Sequence, residues 1–160
     1  MAEWRRMARI KQQLTNEECV RILRETRRGV LSVIGDDGYP YGVPINHFWR
    51  DADGCLYFHG GRFGHKIDAL RNCDKVSFCA YDEGVRAEGE WWLTVRSVVV
   101  FGRAEFVDDE DLLVEVARDL SLKFTSDEAY ISHEIEHDGP RTLLIRLVPE
   151  HITGKRVTEK

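Results

Sequence analysis

Apolar and polar residues alternate along most of this chain, interrupted by a few stretches where apolar positions recur at helical spacing. Thr15 and Glu18 form a capping box ahead of an apolar stripe of Cys19, Ile22 and Leu23, which predicts a helix ending near Arg28 with Gly29 just beyond it. Val30 to Ile34 reads as a strand, Asp36-Asp37-Gly38 as a tight turn, and Tyr39 to Trp49 as the returning strand of a hairpin. Pro40 and Pro44 fall in that second strand. A proline donates nothing to a ladder, so the strand is expected at a sheet edge or bent, with peptide groups left free. Asp51 to Gly54 turns the chain into a short strand, Leu56 to His59, followed by a glycine-rich turn, a helix to Asn72 and a strand from Lys75 to Tyr81.

Asp82 to Glu90 is a polar loop, and Trp92 to Val107 carries the longest strand signal, with Gly102 as a bulge or point of close approach. Asp108 or Asp109 then caps a helix lined on one face by Leu112, Val116, Leu120 and Phe124. Ser126 to Pro140 has little pattern, Thr142 to Val148 is a last strand, and a polar tail closes the chain. A strand as long as 92–107 bends or curls rather than lying flat. The order predicts an α+β fold: one domain, 1–160, built as a small antiparallel β-barrel with a few peripheral helices, an N-terminal arm over 1–14 and a tail over 153–160.

Composition narrows the function. With 42% hydrophobic and 32% charged residues the chain matches ordinary globular proteins, and no apolar run approaches a membrane span. A net charge of −5 argues against nucleic acid as a main partner. Cys19, Cys55, Cys73 and Cys79 include no C-x-x-C pair and read as free thiols. Met1 to Lys11 lacks the apolar run of a secretory signal, so the expected compartment is the cytoplasm.

The densest chemistry lies between Leu56 and Leu70. Gly60, Gly61 and Gly64 permit close backbone approach and positive φ, a helix starts just behind them, and Arg62, His65 and Lys66 stand beside the turn. Exposed N–H groups with neighbouring cations suit a phosphate; a flexible loop with a solvated basic edge is the plain alternative. The spacing fits neither the Walker loop nor the G-x-G-x-x-G dinucleotide fingerprint. His133-Glu134-Ile135-Glu136-His137 matches H-E-x-x-H, but Asp138-Gly139-Pro140 ends any helix at once and the longer zincin pattern is absent, so a solvated helix end is expected and no metal.

Several blocks taken together carry a family resemblance: Gly29-Val30-Leu31-Ser32, Gly38-Tyr39-Pro40-Tyr41-Gly42-Val43-Pro44, Tyr57-Phe58-His59 with Gly64-His65-Lys66-Ile67, and Ser97-Val98-Val99-Val100-Phe101-Gly102. They resemble the FMN-binding split-barrel proteins related to pyridoxamine 5′-phosphate oxidase, most closely the nitroimidazole-resistance branch, and Glu150-His151-Ile152-Thr153-Gly154-Lys155 is similar to that branch's ending. The resemblance implies a split barrel, and a homodimer with FMN at the interface. His59, Gly60, Gly61, Arg62, Gly64, His65 and Lys66 would hold the phosphate, and Val43, Pro44, Ile45 and Asn46 would lie along the ring. Ser97 and Trp92 would come from the other subunit. His47 stands where the branch often has tyrosine, and is either a proton donor near the flavin or a satisfied strand histidine. Nothing resembles the substrate residues of pyridoxamine phosphate oxidases themselves. The expected activity is an FMN-dependent oxidoreductase passing electrons to a nitroaromatic or quinone-like small molecule; the alternative is a module that stores or senses a flavin, deazaflavin or haem.

Overall fold

The computed structural model describes residues 3–160; Met1 and Ala2 of the expected arm lie outside the described residues. Seven antiparallel strands form one sheet in the order β2-β1-β5-β6-β7-β4-β3, with four α-helices around it. The strands are β1 (Arg28–Ile34), β2 (Pro40–Asn46), β3 (Phe48–Arg50), β4 (Cys55–Gly60), β5 (Lys75–Tyr81), β6 (Thr94–Val107) and β7 (Leu143–Thr158). The helices are α1 (Asn16–Glu25), α2 (His65–Asn72), α3 (Glu110–Leu122) and α4 (Glu128–Asp138). The expected α+β barrel is therefore present, as a sheet curled into a half-barrel.

The curl follows from chain connectivity. β2 and β3 lie at opposite edges of the sheet, yet only His47 separates them. Both edges must therefore come together at that residue. The expected single strand from Tyr39 to Trp49 is thus two strands, and the proline-bearing half pairs with β1 alone, as an edge strand should. Inside the curl sit Leu31, Val33, Leu56, Phe58, Phe78, Val98, Val100, Ile145 and Leu147, packed with Cys19, Ile22 and Leu23 of α1 and Ile67, Ala69 and Leu70 of α2. Fully burying a side chain such as Ile22 or Leu23 contributes about 1.5–3 kcal/mol. β4 is buried at four consecutive residues, Cys55 to Phe58, because it is covered on both faces. Leu56 and Phe58 face the barrel interior, while Cys55 and Tyr57 join Val116 of α3 and Leu144 in a second, smaller core.

β6 and β7 pair from Thr94↔Thr158 to Val107↔Leu144, through one register shift between Phe101 and Gly102. A Cβ at Gly102 would collide with the Val148 carbonyl, so the bulge requires glycine there. Residues 153–160, expected as a tail, are strand up to Thr158; their polar side chains hid a segment held by backbone pairing to β6. The arm is anchored too. The Leu14 N–H donates to the Gly154 carbonyl at 2.9 Å and Gln13 bridges Lys155.

The capping box on α1 forms as expected, with Thr15 and Glu18 bonded reciprocally. The helix stops at Glu25, three residues before the expected end, because Thr26 turns extended (φ −75, ψ 141) and its hydroxyl donates to the Ile22 carbonyl at 2.6 Å. Gly29 is not a helix cap. It lies in β1, where the Phe78 ring and the Cys79 carbonyl leave no room for a Cβ. The unpatterned segment 126–140 contains α4, started by the Asp127 carboxylate accepting from the Tyr130 N–H, and only Ile131 of this helix is buried, which explains its weak periodicity.

The edge-to-edge crossing is tied by a polar knot. The His47 side chain is fully buried against the Phe78 ring, with Nε2 2.9 Å from the Leu23 carbonyl. That contact assigns the ring proton to Nε2, and Nδ1 has no partner among the described residues. Lys123, at the end of α3, donates its amine to the Thr26 carbonyl at 2.6 Å and to the His47 carbonyl at 2.9 Å. Burial, and then the Lys123 charge, push the His47 imidazole down to about 3. Burial first, then Arg27, lowers Lys123 to about 8.

His47 should therefore dominate acid destabilisation. Its folded pKa is depressed, so the unfolded chain takes up a proton that the folded one refuses, and stability is lost as pH falls from 6.5 toward about 3. The slope from one such group is about 1.4 kcal/mol per pH unit. A His47→Gln variant, which keeps a donor for Leu23, should lose about 3 kcal/mol less than the parent between pH 6.5 and 4 in urea unfolding. Parallel pH profiles would show that His47 is not the titrating group.

Candidate functional site

The glycine turn joins the end of β4 to the start of α2. Gly64 occupies the N-cap of α2 at φ 115, a conformation that L side chains rarely adopt, and supplies no side-chain cap. The His65 and Lys66 N–H groups are thus left for an outside acceptor, while the Ile67 N–H already donates to the Gly64 carbonyl at 2.9 Å. Space is open around Gly61, and at Gly60 the nearest group is the Lys66 amine, 3.2 Å from where a Cβ would stand. That amine makes no hydrogen bond or ion pair among the described residues, and desolvation lowers its pKa. His59 stands beside it. Desolvation, followed by the Lys66 charge, lowers the His59 pKa, so at neutral pH it is an uncharged donor and acceptor. An unpaired, partly desolvated ammonium beside open glycines at an uncapped helix start is an arrangement suited to an anion.

The other two basic residues of the turn point elsewhere. His65 stacks on Tyr41 of β2, with ring centroids 4.3 Å apart, and its Nε2 lies 3.3 Å from the Asp36 N–H in the β1–β2 turn. It fastens the turn to the edge strand instead of facing the glycines. The Arg62 guanidinium reaches across to the Pro140 carbonyl at 3.4 Å, bringing it against the end of α4.

β2 alternates in exposure. Tyr41, Val43 and Ile45 lean toward the core side, while Gly42, Pro44 and Asn46 face outward from the sheet. The outward face continues in register through Pro44, Val30, Cys79 and Val99, so an apolar strip crosses four strands and ends at Thr153 on β7. Ser97 faces out on the same side, paired with Tyr81 and Lys155, near the opposite end of β6 from the glycine turn. Trp92 precedes β6 with the Lys160 amine 4.8 Å above its ring, and Trp91 meets it edge-on at 5.8 Å. Trp4 of the arm stacks on His151 and abuts Phe101, covering the β6–β7 end of this face.

His47 belongs to none of these surfaces. As the crossing residue it is sealed in the core with its Nε2 proton directed at the Leu23 carbonyl, and burial keeps the cationic form from appearing above about pH 3. Its burial suits the structural one of the two roles weighed for it, though Nδ1 is left without a partner among the described residues. His133 and His137 do share a helical face, with ring centroids 6.1 Å apart, but both are exposed, and among the described residues no third metal-ligating side chain joins them.

One feature was not expected from the sequence pattern: a cleft of about 610 Å³ between α3, α4 and the β6–β7 strand ends, with Arg62 on its border. The available signal was Val114, an exposed apolar residue lying off the Leu112-Val116-Leu120 stripe that α3 turns toward the barrel.

The sequence profile of the pyridoxamine 5′-phosphate oxidase family matches residues 15–156, and the chain belongs to that family. Among solved structures, a candidate 5-nitroimidazole antibiotic resistance protein from Bacteroides thetaiotaomicron is 18% identical with a TM-score of 0.73, covering 91% of this chain and 87% of its own. A conserved hypothetical protein from Mycobacterium tuberculosis is 21% identical with a TM-score of 0.76, covering 94% and 90%. An FAD binding protein from Mycobacterium smegmatis is 24% identical with a TM-score of 0.66, covering 92% and 99%. These three share the fold. No curated protein matches the chain.

Proposed function

We propose that the protein is a flavin-dependent oxidoreductase that holds the 5′-phosphate of FMN on the Gly60–Lys66 turn. The observation that carries this reading is the Lys66 amine, unpaired and desolvated above Gly60 at the head of an uncapped helix. Lys66, the α2 N–H groups and neutral His59 would bind the phosphate, and Arg62 would guard its outer side. The outward edge of β2, with Gly42, Pro44 and Asn46, offers an apolar bed for the ring together with the free peptide groups of an edge strand. A bound flavin would supply the electron transfer; the protein's part is to bind, orient and exclude water. A planar nitroaromatic or quinone suits as acceptor, because such a molecule can lie flat against a ring that is open on one side. His47 has no role in this scheme.

A second copy of the chain would cover the apolar strip through Pro44, Val30, Cys79 and Val99, and bring its own Ser97 and Trp92 toward the ring. Val30 and Phe101 remain 36% and 37% exposed in the isolated chain, as suits a face awaiting a partner. Light scattering at micromolar concentration should give the mass of a dimer. A monomer with flavin bound would sink this arrangement.

Lys66→Ala should weaken FMN binding about ten- to a hundredfold, the worth of one charge-assisted hydrogen bond of roughly 1.5–3 kcal/mol, while riboflavin, which lacks the phosphate, binds as before. Thermal stability should not fall, because the amine has no partner to lose. Equal weakening of both flavins would remove the phosphate assignment.

Turnover separates an oxidoreductase from a storage module of the same fold. Anaerobically reduced protein should pass electrons to a nitrofuran, nitroimidazole or quinone faster than free reduced FMN, as followed by stopped-flow absorbance. Reoxidation no faster than that of free flavin with every acceptor would leave only a binding role.

A further inference from the structure

The cleft between α3, α4 and the β6–β7 strand ends takes no part in the flavin scheme, and its walls combine apolar surface with one sign of charge. Phe106, Val107 and Leu143 give it an apolar floor, and Val114 and Ile135 close it from the two helices. Its volume of about 610 Å³ lies within the roughly 300–1,000 Å³ of small-molecule sites, and an adjoining space of about 180 Å³ shares Val114, Ile135 and Thr142 with it. Phe106 and Val114 are 40% and 46% exposed, so two large apolar side chains meet solvent inside one concavity. Covering them is favourable.

The charge on the rim is negative. Asp108, Asp109, Glu110 and Glu136 border the cleft against a single cation, Arg62, whose guanidinium is turned to the Pro140 carbonyl. None of the four carboxylates has an ion-pair partner among the described residues. The start of α3 accounts for part of this: Asp109 accepts from the Leu112 N–H, and Glu110 lies in the first turn, where the helix dipole favours an acid. Glu136 has no such reason. It lies in the last turn of α4, where the dipole disfavours an acid, and it faces the cleft without a cation beside it. A phosphate or carboxylate entering here would be repelled, whereas a cation would be attracted, and the Phe106 ring adds a surface against which it can lose its water.

We infer that the α3–α4 cleft binds an aromatic organic cation, with its ring system covering Phe106 and Val114 and a quaternary or protonated nitrogen toward the carboxylates. Charge complementarity selects this occupant over a neutral or anionic one, and the limited volume selects a small molecule over a folded partner. The site is separate from the glycine turn and does not depend on the flavin reading.

The test is isothermal titration calorimetry of the protein as purified with thioflavin T, a benzothiazolium cation, beside its uncharged benzothiazole analogue, which lacks the methyl group on the ring nitrogen. Thioflavin T should bind at one per chain and at least tenfold more tightly than the analogue. Glu110→Gln combined with Glu136→Gln should weaken the cation about tenfold and leave the analogue unchanged. Val114→Trp, which fills the cleft from an exposed position, should weaken both. Equal affinity for the two compounds, or a cation that binds without saturation and ignores the carboxylate exchange, overturns the inference and leaves only diffuse attraction to a chain of net charge −5. Displacement of thioflavin T by FMN would merge the cleft with the glycine turn and overturn a separate site. A basic peptide that displaces thioflavin T at concentrations below those at which the dye itself binds would make the cleft a peptide groove, and would overturn the small-molecule assignment. The comparison of the two compounds on the parent protein is decisive even if a variant does not fold.

Discussion

Everything in this molecule depends on one connection: β2 and β3 sit at opposite edges of a seven-stranded sheet and are joined through His47 alone. A single residue spans only about 3.5 Å, so the sheet cannot open without breaking the chain's own path. The curl encloses the core, and it turns the outward side of β1, β2, β5 and β6 into one continuous face. The crossing is an awkward place to bury a backbone. The structure answers with groups from two distant elements: the Leu23 carbonyl of α1 meets the imidazole, and the Lys123 amine of α3 meets two carbonyls. An amine buried in this way is costly unless its donors are used, and two of the three are.

α3 also shows how a helix inserted between two long strands can serve two purposes. One side completes the small core with Val116 against Tyr57 and Cys55, and the Arg50–Glu115 pair at 2.7 Å fixes it to β3. Such a surface pair contributes about 1 kcal/mol at most, so packing, not charge, seats the helix. Val114 is left over on the side toward α4, while Leu113 packs at the edge of the small core. The resulting gap adjoins the glycine turn, because β7 pairs Leu143 with Gly60 and so brings the end of α4 to the place where β4 ends.

The turn itself carries local features that stability alone does not explain. Lys66 keeps its charge in a partly desolvated place with no partner, and α2 begins on a glycine that caps nothing. Both features cost free energy in the isolated chain, and both would be relieved by one anion. Structural demand alone would favour a capping serine or aspartate at the N-cap and an apolar residue in place of Lys66.

Much of this was written locally in the sequence. The capping box, the strand from Lys75 to Tyr81, the glycine bulge at 102, the edge character imposed by Pro40 and Pro44, and the turn with its cation are each decided by a few neighbouring residues, so periodicity and turn chemistry reveal them. The features that were misjudged depend on partners far along the chain. Gly29 resembles a helix cap until Phe78 is seen against it, and residues 153–158 look like a tail because only the β6 backbone makes them a strand. α4 has too little buried surface to show a period. His47 looks like chemistry in a strand, but the meeting of two sheet edges places it in the core and removes its charge. Local sequence set which elements form and placed a cation at the glycine turn; long-range closure of the sheet decided which side chains stay exposed, because burial is a property of the whole packed molecule.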